Sequence, residues 1–349
     1  MIMSFPTTTR RYYLPQPGSF ENLTIQEVPV SAPAAGEVLV KTHAVSLQFR
    51  DLLVAAGRYG SGCPPNLVPC SDMAGEIIAV GEGVKEWKTG DRICANFMVD
   101  KLHDGSPGNE ALGGAVNGVL TEYRTFPAQA LVAIPEHLSY DEASTLPCAA
   151  LTAYNALLCG IEPLKAGDTI LVQGTGGVSI FALQFAVASG ATVIATSSSD
   201  EKLKIATKLG AKHVINYKTT PKWSEEVLRL TNGAGVDCVI EAIPIRKCNA
   251  RSIHCLHQKR RKGGCYRLCW QCADVKPADI IIAAIGKQLS LRGIYVGSVV
   301  QFKNMNRLLS ANPEKTKPVI DRVFEFNEAK AAYTHLKSQT HVGKVVIRF

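Results

Sequence analysis

The sequence predicts an α/β protein in two parts, a mostly β domain followed by a doubly wound parallel sheet. Three observations carry that expectation. Strand-like and helix-like stretches alternate regularly from about Leu157 onward. A glycine-rich turn, Gly174-Thr175-Gly176-Gly177, falls between the first of those strands and its helix. The first 150 residues instead contain short β-rich runs punctuated by Gly and Pro.

In order, "GEVLVKTHAVSL" and "AGEIIAVGEGV" read as strands of the β domain, and "KTGDRI" (Lys88–Ile93) as a turn into another. After Leu157, "GDTILVQ" reads as a buried strand and "VSIFALQFAVASG" as a helix ending at a glycine. "ATVIATSSS" is a second strand, followed by a helix opened by Asp200 and closed by Gly210. "HVINY", "SEEVLRLTNG" and "VDCVIEA" continue as strand, helix and strand. Alternation at this spacing argues for a parallel sheet wound in the Rossmann manner. In the tail, residues 314–338 read as one amphipathic helix and "GKVVIRF" as a final strand. There is no internal repeat and no low-complexity tract.

At 349 residues the chain suits two domains, and 46% apolar residues with 29 glycines are those of a globular protein. No apolar stretch approaches the roughly 18 residues of a membrane span. "MIMSFPTTTRRYYLPQPG" has no apolar segment after its Arg pair, so the expectation is a cytoplasmic protein with reduced cysteines. The net charge of +8 is local. Residues 242–273 hold eight Lys/Arg and no acid, leaving 30 basic against 30 acidic elsewhere. The basic stretch 246–267 has almost no interleaved aromatics, which argues against a nucleic-acid partner.

The most informative stretch is Gly174-Thr175-Gly176-Gly177-Val178-Ser179, placed after a strand and opening a helix. Glycines there let the backbone turn sharply and approach a pyrophosphate, which sits on the helix N-terminus. The third glycine of the usual fingerprint is Ser179 here. An NAD site usually carries an acid at the end of the second strand for the ribose 2′-hydroxyl. This strand ends in Thr196-Ser197-Ser198-Ser199, and Asp200 and Glu201 have an ordinary place in the next helix's first turn. Lys202 is placed to meet a 2′-phosphate, so the expected cofactor is NADPH.

With these motifs, "VSLQFRDLLVAAGRYG", "LPCAALTAYNAL" and "SQTHVGKVVI", the chain resembles the medium-chain dehydrogenase/reductase superfamily. Within it the zinc-independent quinone-oxidoreductase-like branch, close to fungal zinc-type alcohol dehydrogenase-like proteins, is most similar. The resemblance implies a GroES-like catalytic domain over 1–153, a Rossmann cofactor domain over 154–295 and a C-terminal segment, 296–349, returning to the first. It places Thr152 beside the nicotinamide, with Gly174 in the turn and Gly176, Gly177 and Val178 under the pyrophosphate. Ser198, Lys202 and Tyr217 would surround the 2′-phosphate, while Gln48, Asp51 and Tyr59 would line the substrate side. It also implies a homodimer and a small-molecule substrate: an enone, quinone, aldehyde or alcohol. Tyr59 is the nearest candidate proton donor and equally a wall that stacks on substrate.

The superfamily's catalytic zinc would need a Cys in "SLQFR", a His–Glu pair and a second Cys. This chain has no Cys in the first, Ser71-Asp72 in the second and Cys148 in the third. A lone cysteine cannot hold zinc, so the expectation is no metal, with Cys148 a small packed residue. Without a Lewis acid the chemistry expected is hydride transfer to an already activated double bond, quinone or carbonyl, with an alcohol dehydrogenase acting as a tailoring step in fungal secondary metabolism as the alternative.

One segment fits poorly. "RKGGCYRLCWQC" with Cys248 and Cys255 puts five cysteines in 25 residues, where a buried fifth strand is due. The spacing matches no paired zinc motif. A one-nucleotide shift from Gly263–Gly264 permits Gly-Gly-Val-Ile-Ala-Phe-Val-Gly-Ser-Val. Together with the charge excess over 242–273, this makes 242–272 read as a reading-frame error or a mis-spliced gene model.

Overall fold

The computed structural model describes residues 5–60, 63–241, 265–268, 282, 285–286 and 289–349, the stretch 265–268 by its backbone. Cys248, Cys255, Cys269 and Cys272 lie outside the described residues. The chain divides into two compact units, one of Met1–Leu151, Val296–Pro313 and Lys317–Phe349, the other of Thr152–Tyr295 with Glu314–Thr316.

The first unit opens with an antiparallel ribbon, β1 (Thr8–Tyr13) and β2 (Thr24–Pro29). It continues with β3 (Glu37–Leu47), helix α1 (Phe49–Ala55), β4 (Asp72–Val80), β5 (Arg92–Ala95), β6 (Tyr123–Pro127), β7 (Leu131–Ala133) and the short α2 (Tyr140–Ala143). The apolar run of β3 has neighbours on both sides, so Val38, Val40, Val45 and Leu47 are all buried. Between α2 and the second unit the chain makes one π-helical turn, Leu146–Ala150.

The second unit follows the predicted alternation. Helix α3 (Leu151–Leu158) leads into β8 (Thr169–Gln173), α4 (Gly177–Ala188), β9 (Thr192–Ser197), α5 (Asp200–Lys208), β10 (His213–Asn216), α6 (Trp223–Leu230) and β11 (Cys238–Glu241). Strands β12 (Cys265–Leu268) and β13 (Ser290–Gly293) complete a parallel sheet ordered β10-β9-β8-β11-β12-β13. This is the strand order of a doubly wound dinucleotide fold. Leu171, Ile194, Ile215, Val227, Val236 and Val239 form its core. The fifth strand is present although its side-chain pattern suits a buried strand poorly, because the parallel ladder to β11 and β13 is made by main-chain groups.

The tail returns to the first unit through α7 (Val299–Ala311), β14 (Ile320–Glu325), α8 (Ala329–Ser338) and β15 (Lys344–Arg348). The single amphipathic helix expected over 314–338 is therefore a strand followed by a shorter helix. Pro318 disfavours a helix through this stretch, and "VIDRVFEF" supplies β-branched and aromatic residues that pair with β15. Helix α7 was not expected. Its signal is the capping box of Ser298 and Gln301, in which Ser298 N–H donates to Gln301 Oε1 at 2.9 Å. The resulting sheet runs β14-β15-β3-β4-β5-β7, with β6 against β3.

Candidate active site

In the second unit the glycine turn joins β8 to α4. Gly174 adopts φ +81°, open to glycine, and its N–H donates to Thr196 O at 2.8 Å, tying the turn to the end of β9. A Cβ added at Gly176 would meet no atom within 4 Å, so open space lies in front of the α4 N-terminus. Ser179, in place of the third glycine, is buried and its hydroxyl donates to Gln173 O at 2.8 Å. It bridges helix to strand where a small residue is needed. Gly177 and Val178 form the first helical turn beside it, and Thr152 is buried in the first turn of α3. Uncapped N–H groups, the helix dipole and open space make this a cradle suited to a pyrophosphate.

The ends of β9 and β10 come together beside the turn. Tyr217 N–H donates to Ser197 O at 3.0 Å, which brings Tyr217 next to Ser198, and Ser199 Oγ caps α5 by accepting from Lys202 N–H at 3.5 Å. Both nearby acids are engaged elsewhere. Asp200 accepts from Asn216 Nδ2 at 2.8 Å and Glu201 pairs with Lys204 at 2.7 Å.

The first unit holds a buried charged cluster. Gln48 caps α1, and its N–H donates to Asp51 Oδ2 at 2.7 Å. Arg50 donates to Asp51 Oδ1 at 3.4 Å and to Leu112 O at 2.9 Å, with its guanidinium over the rings of Tyr59 (4.7 Å) and Phe97 (4.9 Å). Asp51 is wholly buried, and burial raises its pKa while Arg50 pulls it back. Gln48 and Asp51 thus meet, and Tyr59 joins them through Arg50. The carboxylate of Asp51 faces protein on every side.

Asp72 starts β4 and is also 0% exposed. Its Oδ1 accepts from Ser71 Oγ at 2.6 Å, and its Oδ2 from Gln48 Nε2 at 2.5 Å and Cys148 N–H at 3.0 Å. Burial raises its pKa to about 6, against the pull of Lys344, Ser71 and the Cys148 amide. Lys344, 3% exposed on β15, donates to Leu47 O at 2.6 Å, and burial lowers its pKa while Asp72 holds it up. Two acids and two bases therefore share one dry region. Lys344 and Arg50 were missed in the sequence. A lysine inside the terminal strand run "GKVVIRF" was the available signal.

Two features shape the chain just before Asp72. Cys70 has φ +67°, a conformation that costs a non-glycine residue energy, and its Sγ lies 3.3 Å from Tyr333 Oη. Gly113 and Gly118 press on it, since a Cβ on either would collide with the Cys70 carbonyl. Cys148 is the one residue of the zinc pattern, its third, that this chain keeps. It sits on the π-helical turn and is partly exposed, though burial of its thiol raises its pKa and Asp72 raises it further. Both effects keep the thiol protonated. Among the described residues no group of three His, Cys, Asp or Glu side chains could hold a metal ion.

Fold and cradle together define a nicotinamide-dependent oxidoreductase. Comparison with known proteins agrees. The family model described as an alcohol dehydrogenase GroES-like domain matches residues 34–136, and that described as zinc-binding dehydrogenase matches 177–311. A "zinc-type alcohol dehydrogenase-like protein" of Schizosaccharomyces pombe is 45% identical over 322 residues, 90% of this chain and 91% of that one. The solved structure of a Sinorhizobium meliloti 1021 protein assigned as an alcohol dehydrogenase superposes with TM-score 0.88 at 35% identity, covering 99% and 100% of the two chains. A structure titled NAD-dependent alcohol dehydrogenase gives 0.86 at 29%, covering 97% and 99%. The chain belongs to the medium-chain dehydrogenase/reductase superfamily, close to its fungal zinc-type alcohol dehydrogenase-like members.

Proposed function

We propose that the protein is an NADPH-dependent, zinc-free reductase acting on an activated double bond, a quinone or a conjugated carbonyl. The observation that carries the reading is Asp72. Where the zinc enzymes of the family place metal ligands, this chain has Gln48, Ser71, Asp72 and Cys148. Asp72 already accepts three hydrogen bonds and faces Lys344, and the Cys148 thiol stays protonated. A cation added there would meet an ammonium and an amide N–H, so the donor set does not fit zinc.

NADPH rather than NADH is the reading because β9 runs out into the hydroxyl residues Ser197, Ser198 and Ser199 rather than an acid, with Lys202 in the first turn of α5 and Tyr217 beside Ser198. When bound, NADPH would supply a hydride, two electrons in all, to the β-carbon of an enone as its C=C bond opens toward the carbonyl oxygen, and a proton from water or Tyr59 would complete the product. Gly174, Gly176, Gly177 and Val178 would hold its pyrophosphate, and Thr152 would lie on its nicotinamide side. Gln48 and Tyr59 border the substrate, and Asp51 positions them through the α1 cap and Arg50. Pairing through the edge strand β13, whose Leu291 is exposed, is consistent with a homodimer.

The second reading is an alcohol dehydrogenase, favoured by the descriptions of the S. pombe and S. meliloti proteins. Metal content of the purified protein separates the two. The proposed function predicts far less than one zinc per chain with full NADPH-dependent reduction of an enal. About one zinc per chain, lost together with activity on chelation, would replace it.

A further inference from the structure

We infer that Asp72 is a positioning residue that turns the Gln48 amide so that its N–H, not its carbonyl, meets the substrate's carbonyl or quinone oxygen. The inference deepens the reductase reading and rests on it.

The primary amide of Gln48 can present an acceptor on one side and two donors on the other. The α1 capping box already sets the Gln48 side chain as acceptor toward the Asp51 backbone. Asp72 completes the choice on the other side, because an ionised carboxylate only accepts, so the group facing it at 2.5 Å must be Nε2. With one Nε2 hydrogen given to Asp72, the planar amide fixes where the second points. The carboxylate itself is locked by Ser71 from its own strand and by the Cys148 N–H from the π-helical turn. Burial pushes the Asp72 pKa up to about 6 and Asp51 on α1 adds to that, while Lys344 on β15 pulls it back, so the group is a carboxylate near neutral pH; Asp51 is itself offset by Arg50. Cys148 stays neutral.

The chemistry explains why a donor is wanted. Hydride addition to an enone or quinone drives negative charge onto the substrate oxygen. A preorganised donor aimed at that oxygen lowers the barrier, and loss of one such donor typically costs about a hundredfold or more in turnover. Gln48 is 8% exposed, so its hydrogen bond forms with little competition from water. The cluster thereby provides without a metal the polarisation that a Lewis acid would give.

The test reads the hydrogen bond itself. trans-Cinnamaldehyde is bound to the NADP+-loaded protein and its carbonyl stretch recorded by infrared difference spectroscopy, with NADPH oxidation measured alongside. In the native protein the band is shifted to lower frequency than in an apolar solvent. In Gln48→Leu the shift is lost and kcat falls about a hundredfold, while NADP+ binding by fluorescence titration stays within about twofold of the native protein. In Asp72→Asn the shifted band splits or weakens, because asparagine can accept from or donate to either face of the amide. Ser71→Ala, which removes one lock, gives the milder form of the same change if Asp72→Asn does not fold. An unchanged carbonyl band in Gln48→Leu, in a protein that does oxidise NADPH with the aldehyde, overturns the inference alone. A native protein that neither binds the aldehyde nor oxidises NADPH overturns the reductase reading and this inference with it.

Discussion

At the scale of single residues, the cluster around Asp72 makes the stability of this protein depend on pH. Burial lifts Asp72 from an ordinary 3.8 to about 6. The folded chain therefore holds that proton more tightly than the unfolded chain does. The stability gained from it is complete below about pH 3.8 and is lost as pH rises through about 6, a loss approaching ~3 kcal/mol. Urea unfolding of native protein and Asp72→Asn between pH 4.5 and 7 checks this: the native protein loses stability relative to the variant as pH rises. Lys344→Met strands a buried carboxylate and should cost about 3–5 kcal/mol, with part recovered in Lys344→Met/Asp72→Asn. Gly118→Ala should also cost at least about 3 kcal/mol, since its Cβ meets the Cys70 carbonyl and backbone cannot move aside cheaply. Little of this was visible in the sequence. Ser71-Asp72 and Cys148 stood out as departures from a zinc pattern, but nothing local announced that Cys70 is left-handed or that Lys344, some 270 residues away, faces them. Such a cluster arises from sheet pairing, β15 beside β3 and β3 beside β4, which periodicity does not encode.

At the scale of elements, the cofactor loop was legible because its chemistry is local. A buried strand, a turn that only glycine allows and a helix N-terminus follow one another within ten residues, and the structure has them where the pattern puts them. Two substitutions probe what the loop holds. Gly176→Ala meets open space and has φ −74°, so thermal stability should change by under about 0.5 kcal/mol while NADPH binding weakens at least tenfold. Lys202→Ala should raise the Kd for NADPH by about tenfold to a hundredfold and leave that for NADH nearly unchanged, the size of one charge-assisted hydrogen bond. Equal losses for the two cofactors would remove Lys202 from the 2′-phosphate. The tail shows the converse. Residues 320–325 carry a pattern that reads as helix or strand, and the partner β15, twenty residues on, decides for strand.

At the scale of the whole molecule, the parallel sheet and the β unit were both foreseeable from the change of periodicity near Leu157. The return of the tail to the first unit came from family likeness rather than from any pattern in the tail. The +8 charge describes one segment, and residues 242–264 and 269–281 lie outside the described structure. Strand β12 occupies Cys265–Leu268, where the shifted reading frame would write Val-Ile-Ala-Phe. Sequencing the transcript across the codons for Glu241 to Asp274 should return that apolar strand, and a transcript that retains the five cysteines would refute the frame error. The proposed metal-free reduction of activated substrates by NADPH is tested by steady-state NADPH oxidation with an α,β-unsaturated aldehyde, using protein whose zinc has been quantified and then stripped with chelator. The expected result is turnover unchanged by the chelator at far less than one zinc per chain. Activity that tracks bound zinc would contradict it.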